Sequence, residues 1–193
     1  DHGARFRIRD LERHTGRPIW PIEERPVPQG TSVPGEVLWP TQPFPTNPPP
    51  FSRQKFTADD LNPHILTPEE REQFKQRISK ARNDGPFTPI GFEDVIHMPG
   101  NQGGSNWGSV TIDAARGLMI ANALYMPDIG RLIPRAEADR MAAAYGEEGN
   151  ASAFAFPQKG TPYAMDRQVF LGPLGAPCPQ PPSPASRPAP TWP

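Results

Sequence analysis

The sequence predicts a mainly β fold that carries long proline-rich irregular segments and one or two short helices. Proline accounts for 29 of the 193 residues, about three times its usual share in proteins. Apolar residues make up only 35% of the chain. Each proline fixes φ and removes a backbone donor, so long helices and central strands are not expected where prolines crowd. The most strongly patterned segment, residues 98–122, is a glycine-rich loop that runs into a strand–turn–strand pattern.

Charge and cysteine content exclude several classes of function. The chain has 20 basic and 21 acidic residues and a net charge of −1, so it lacks the basic surface expected of a nucleic-acid partner. Its single cysteine, Cys178, can form neither an internal disulfide nor a cysteine-cluster metal site. No apolar run approaches the roughly 20 residues of a membrane span. The sequence begins at Asp1 rather than Met, and we expect an upstream part to be missing or processed away.

The first 56 residues combine a predicted hairpin with a proline-dense run. The alternation in "RFRIR" and the turn signal Thr15-Gly16 predict a hairpin within residues 1–20. From Pro18 to Pro50, 11 of 33 residues are proline, and regular structure is not expected in residues 21–56. A disordered linker is one interpretation, although disorder correlates with few aromatics. The other is an extended chain anchored on a preformed surface by Trp39, Phe44 and Phe51.

The clearest predicted helix covers residues 67–83. Thr67 is a suitable N-cap, Pro68 suits the first helical position, and Glu70 completes a capping box. The apolar stripe is narrow, which predicts a surface helix that rests on something larger. Its members are Phe74, Ile78 and Ala81.

Residues 107–124 predict a second hairpin. Asp113 can accept hydrogen bonds from downstream amides and Gly117 tolerates positive φ, so the segment between them is expected to form the turn. Its segment "DAARGLMI" shares an acidic residue, a turn glycine and an apolar end with "DLERHTGRPIW" of residues 10–20. Repeated units of this kind build β-propeller blades.

The remaining C-terminal half carries weaker signals. A second helix is predicted at 135–145 with Gly146 as its cap. Residues 147–162 are expected to form a loop. Nine prolines fall in the last 21 residues, which predicts a disordered tail.

Several long stretches resemble the membrane-bound quinoprotein glucose dehydrogenases and other dehydrogenases that use pyrroloquinoline quinone (PQQ). They occur in one order and together cover most of residues 15–182. The stretches are "TGRPIWPIEERPVPQG", "PTQPFPTNPPPF", "PFTPIGFEDVIHMPGNQGGSNWG", "ANALYMPDIGRLIPR" and "GTPYAMDRQVFLGPLGAPCPQPP". Strings of this length are far more specific than a short motif.

The resemblance implies a fragment of an eight-bladed quinoprotein propeller, with residues 1–182 as a partial propeller domain and residues 183–193 as a proline-rich tail. It further implies bound PQQ, a calcium or magnesium ion, a sugar or polyol substrate and membrane quinone as the electron acceptor. The expected location is the periplasm, at the inner membrane. Eight blades of roughly 40 to 45 residues need more than about 320 residues, so the missing blades would have to be partners of this chain.

The resemblance also places the family's catalytic aspartate, the lysine that touches PQQ and the metal ligands upstream of "TGRPIW". No catalytic or metal-binding residue is therefore assigned in this chain. After "PCPQPP" the sequence departs from the family pattern, and at its start the matching region is absent or replaced by "DHGARFRIRD". We expect a truncated or frameshifted reading that is inactive alone.

The cofactor-binding candidates all lie in the glycine-rich segment. By resemblance, Asn106-Trp107 occupies the position where an asparagine lies at the cofactor's edge, and an amide can bond quinone or carboxylate oxygens. Gly103 and Gly104 would let the backbone come close to the ligand, and Asn101 is a second amide candidate. The alternative is that these residues only shape a tight loop and cap a strand.

The histidine positions and the proline content allow two further interpretations. The histidines are widely spaced and show no ligand-like pair, which argues against a histidine metal site: His2, His14, His64 and His97. As an alternative to an enzyme, the chain is a proline-rich binding or scaffold module whose extended arms dock on a partner. That alternative explains the composition but not the specific strings.

Overall fold

The computed structural model describes residues 11–105, 110–148, 154–173 and 175–180. Within these residues every strand pair is antiparallel, and the strands form three separate sheets: β1–β2, β4–β5 and a four-stranded sheet in the order β3-β6-β8-β7. None of the described sheets closes on itself, and the mainly β prediction is confirmed. The strands are β1 (Ile22–Pro26), β2 (Thr41–Pro45), β3 (Val95–His97), β4 (Val110–Asp113), β5 (Leu118–Ala121), β6 (Asp128–Pro134), β7 (Phe154–Pro157) and β8 (Tyr163–Val169), and the α-helices are α1 (Pro68–Lys80) and α2 (Arg135–Glu148).

The prediction that residues 21–56 lack regular structure is wrong, because β1 and β2 pair inside the proline-dense run. Beyond the strand ends, Val27 N–H donates to Pro40 O at 3.1 Å and Thr46 N–H donates to Pro21 O at 3.0 Å. Hydrogen-bonded pairs alternate with non-hydrogen-bonded pairs along an antiparallel ladder. A proline is compatible with the non-hydrogen-bonded positions, where no ladder donor is needed. These positions hold Pro26, Pro43 and Pro45.

The aromatic side chains of this region have different environments. Trp39 is 72% exposed, so its predicted role as an anchor is wrong within the described chain. Phe44 packs edge-on against Phe87 with centroids 5.7 Å apart, and the Arg25 guanidinium lies 5.5 Å from the Phe44 centroid. In the described part of the preceding predicted hairpin, a bridge joins Leu11 to Pro18. The "RFRIR" stretch lies outside the described residues.

Helix α1 begins where its sequence predicts. Thr67 Oγ1 accepts the Glu70 N–H at 3.2 Å, and Glu70 Oε2 accepts the Thr67 N–H at 2.8 Å. The helix ends at Lys80, three residues before the predicted end, because Ala81 is already extended. Ile78 is buried against the main core, which confirms a surface helix resting on a larger structure.

The main core lies between α1, strands β3 and β6, and the segment that follows β8. Phe170 is at its centre, with edge-on contacts to Phe56 and Phe74 at centroid distances of 5.4 and 5.2 Å. The buried cluster consists of Phe56, Leu61, Leu66, Ile78, Ile96, Met98, Ile129, Phe170 and Cys178.

The C-terminal segment is more ordered than its composition predicts. Asn62 N–H donates to Cys178 O at 2.8 Å, and Gln180 N–H donates to Asp60 O at 2.7 Å. The prediction of a disordered tail is therefore wrong for residues 177–180, because these backbone groups find partners on the core. Residues 183–193 and the predicted boundary at 182 lie outside the described residues.

The sequence-based expectations for residues 135–162 need two corrections. Helix α2 continues through Gly146 to Glu148 rather than ending there, which is possible because a glycine costs a helix only about 1 kcal/mol. The predicted loop at 147–162 contains β7, which pairs with β8.

Under α2 lies a second, smaller core made of Ile133, Ala138 and Ala164, with Met141 packed against it. Among the described helices, none combines the length and the apolar character needed to cross a bilayer.

Candidate functional site

The glycine loop, defined here as residues 98–105, follows β3 and is held by the protein's own backbone. Gly100 N–H donates to Met126 O at 2.8 Å, which ties the loop to the segment that enters β6. Gly103 N–H donates back to Gly100 O at 2.9 Å and closes a tight turn. These backbone hydrogen bonds give the loop a defined shape.

The structure describes three of the five predicted cofactor-binding residues. Asn101 lies at the tip of the turn, where its side chain and that of Gln102 are exposed. Gly103 and Gly104 are buried in the same loop. The other two, Asn106 and Trp107, lie outside the described residues.

The two glycines make close approaches to the chain itself. A Cβ at Gly103 would lie 2.8 Å from Pro99 Cβ and 3.0 Å from Met126 O. Gly104 has a φ of +70° and exchanges two backbone hydrogen bonds with Leu124, each of 2.9 Å. Both observations match the alternative in which these residues shape the loop. Their role towards a cofactor stays a prediction.

Sequence reasoning missed Asp128, the first residue of β6. Its side chain is buried beneath the glycine loop, where Oδ2 accepts the Asn101 N–H at 2.7 Å. Arg167 Nε lies 3.9 Å from the same oxygen, whereas Oδ1 has no hydrogen-bond partner among the described residues. Burial raises the pKa of Asp128, and the Asn101 N–H and the Arg167 charge oppose this rise. The available signal was a carboxylate at the head of the apolar stretch "DIGRLIP".

The hairpin that follows the loop has the predicted turn. Asp113 Oδ1 accepts the Arg116 N–H at 3.1 Å, and Gly117 has a φ of +63°. The register sets Ile112 opposite Met119 and Thr111 opposite Ile120. Ile112 and Ile120 therefore lie on opposite faces, and they are 57% and 59% exposed.

The exposed polar groups of the glycine loop are side-chain amides. The exposed side-chain amides of Asn101 and Gln102 can each donate and accept hydrogen bonds, as the edge of a polar planar molecule requires. In the part of the chain that the structure describes, no three His, Cys, Asp or Glu side chains are grouped to hold a metal.

The class of protein follows from comparison with known families. The family model "PQQ: Glucose/ethanol/alcohol dehydrogenase, beta-propeller domain" matches residues 10–184. The chain therefore belongs to the PQQ-dependent dehydrogenase β-propeller family, and the predicted family and partial-propeller fold are confirmed.

Individual relatives refine this assignment. The chain is 35% identical over 192 residues to quinoprotein glucose dehydrogenase A of Acinetobacter calcoaceticus, and 33% identical over 176 residues to quinoprotein glucose dehydrogenase of Escherichia coli (strain K12). It is 32% identical over 172 residues to a probable quinate dehydrogenase (quinone) of Xanthomonas campestris pv. juglandis. Each match covers 89% of this chain but only 21% of the relative. The chain thus spans about a fifth of these proteins' length, and no solved structure matches it significantly.

Proposed function

We propose that this chain is one part of a PQQ-dependent dehydrogenase that oxidises a sugar or polyol and passes the electrons to membrane quinone. The observation that carries the proposal is the family match over residues 10–184. Relatives are named as dehydrogenases of glucose, quinate and glycerol, which are all polyhydroxy compounds. The proposed location is the periplasm, at the inner membrane.

The chain's own contribution is a wall of the cofactor site. The glycine loop holds Asn101 and Gln102 in exposed positions, where their amides can bond the oxygens at the edge of PQQ and orient it. When bound, PQQ supplies the two-electron oxidation chemistry. The base that takes the substrate's proton and the ligands of a calcium or magnesium ion are proposed to come from the remainder of the complete enzyme.

The alternative of a proline-rich binding module has less support from the structure. Such a module needs proline segments that are extended and available to a partner. Here β1 and β2 pair with each other along five residues, and their prolines take part in that ladder. No observation in the described residues favours the binding module over the enzyme.

Reconstitution tests the proposal. The 193-residue chain, mixed with PQQ and Ca²⁺, should show no dye-linked oxidation of glucose. The full-length protein that carries it should bind PQQ, seen by titration of the cofactor's absorbance, and should oxidise at least one sugar or polyol. Turnover by the chain alone would contradict its being a part. A full-length protein that binds no PQQ would refute the assignment as a dehydrogenase.

A further inference from the structure

At the tip of the glycine loop, a side chain accepts a hydrogen bond from the backbone. The other loop bonds described above, at Gly100, Gly103 and Gly104, join backbone to backbone. The Asn101 N–H instead donates to Asp128 Oδ2 at 2.7 Å. A hydrogen bond to a carboxylate is roughly twice as strong as one between neutral groups.

The glycine loop packs so closely on Asp128 that a side chain at Gly100 would not fit. A Cβ at Gly100 would lie 2.5 Å from Asp128 Oδ1 and 2.7 Å from the Asp128 backbone nitrogen. The loop therefore rests directly on the carboxylate and the start of β6. Asp128 is thus in close contact with Gly100 and hydrogen-bonded to Asn101.

A carboxylate buried at this position destabilises the fold unless it is compensated, because its charge is removed from water. Asp128 is 2% exposed, and its Oδ1 has no hydrogen-bond partner among the described residues. A neutral side chain of the same shape would avoid the desolvation of a charge. The Arg167 Nε lies 3.9 Å from Asp128 Oδ2, and the Arg167 guanidinium lies 4.8 Å from the Phe156 centroid. The carboxylate thus links the loop to β8, and through the Arg167–Phe156 contact to β7.

We propose that Asp128 is a positioning residue that fixes the turn at Gly100–Asn101 and thereby sets the Asn101 side chain at the edge of the cofactor site. The second half of this inference rests on the proposed function. Asp128 acts through the loop and does not itself touch the cofactor.

Two substitutions in the full-length protein test the loop anchor. Asp128→Ala removes the acceptor, so hydrogen–deuterium exchange of the Asn101 amide should become about tenfold faster or more, as expected for the loss of a hydrogen bond to a charged group. Asp128→Asn keeps an oxygen in the same place and should restore most of the protection. Unchanged exchange in Asp128→Ala would overturn the inference.

Asp166→Ala is the matched control. Asp166 also has a buried carboxylate oxygen without a hydrogen-bond partner among the described residues, but its neighbour is Arg131, at 3.5 Å, rather than the glycine loop. It should lower the urea midpoint while leaving exchange at residues 98–105 unchanged. If both alanine variants speed exchange in the loop equally, the effect is general destabilisation and the inference fails.

Cofactor affinity provides the second readout. Asp128→Ala should raise the Kd for PQQ about tenfold, because the lost hydrogen bond acts on the placement of the cofactor. The KM for the sugar, measured at saturating PQQ, should stay within about twofold of the parent value. Wild-type affinity in Asp128→Ala would overturn the cofactor half of the inference. If the parent protein binds no PQQ, the proposed function and this half fail together, and the exchange result still decides the loop anchor.

Discussion

Replacing Phe170 with alanine should remove the central contact of the main core. The side chain is fully buried, and its ring packs edge-on against Phe56 and Phe74 at 5.4 and 5.2 Å. The Arg77 guanidinium lies 5.1 Å from its centroid. Truncating a buried phenylalanine costs about 3–5 kcal/mol, and edge-to-face pairs contribute about 0.5–1.5 kcal/mol each beyond burial. We expect Phe170→Ala to lower the free energy of unfolding by about 5 kcal/mol, the upper end of the range for a buried phenylalanine.

The measurement is urea unfolding followed by circular dichroism, with Phe92→Ala as the matched control. Phe92 is 38% exposed and makes one edge-on contact, with Tyr163 at 5.3 Å, so its loss should cost only about 1–2 kcal/mol. Since domain stability is typically about 5–15 kcal/mol, Phe170→Leu serves as a milder variant if the alanine variant does not fold. Equal losses for Phe170→Ala and Phe92→Ala would refute the placement of the core around Phe170.

Three further outcomes are expected. Thr67→Ala should lower the free energy of unfolding by about 1 kcal/mol, because it removes an N-cap acceptor; an unchanged urea midpoint would contradict the capping geometry. Burial raises the pKa of the Cys178 thiol to about 12. A thiol reagent at pH 8 should therefore react with Cys178 only as fast as the protein unfolds. Rapid labelling of the native protein would contradict this burial. The raised pKa of Asp128 means that the folded state binds more protons than the unfolded state between the two pKa values. The free energy of unfolding should therefore fall as pH rises from the usual aspartate pKa through the raised one. Over the same pH range, the stability of Asp128→Asn relative to the parent should increase. If urea titrations at several pH values show a constant stability difference between the two proteins, the shift is refuted.

Local signals predicted those features whose physical cause is local. The Thr67–Glu70 capping box fixes the start of α1 because both of its hydrogen bonds form within four residues. The turn at Asp113–Gly117 is equally self-contained, since the aspartate accepts an amide three residues downstream. Neither feature needs information from another part of the chain.

The central strands were missed because their pairing is not local. In β6, Gly130 and Arg131 interrupt the apolar alternation that identifies a strand. Their partners in β8 are Arg167 and Asp166, more than thirty residues away in the sequence. The contacts that make this segment a strand therefore come from the ladder and not from its own pattern. Asp128 was missed for the same reason, because its partner Asn101 precedes it by 27 residues.

Proline content was a misleading guide to order. The composition alone argues against a ladder, but the positions of the prolines along the strand decide whether it forms. Pro43 and Pro45 are two residues apart and so fall on equivalent, non-hydrogen-bonded positions of β2. A segment with prolines on successive odd and even positions could not form this pairing. Spacing by two was thus the available signal for a strand.

The β4–β5 hairpin connects the glycine loop to the architecture of the family. A two-stranded hairpin alone is marginal in water, and this one exposes Ile112 on one face and Ile120 on the other. In a propeller the sheets are arranged radially around a central channel. A sheet with a neighbour on each side can therefore bury apolar residues on both of its faces. The loop at 98–105 leads towards β4 and is bonded at Gly104 to Leu124, just past β5. The loop is therefore held at two points, by the backbone bonds between Gly104 and Leu124 next to the hairpin and by the Asp128 carboxylate at Asn101.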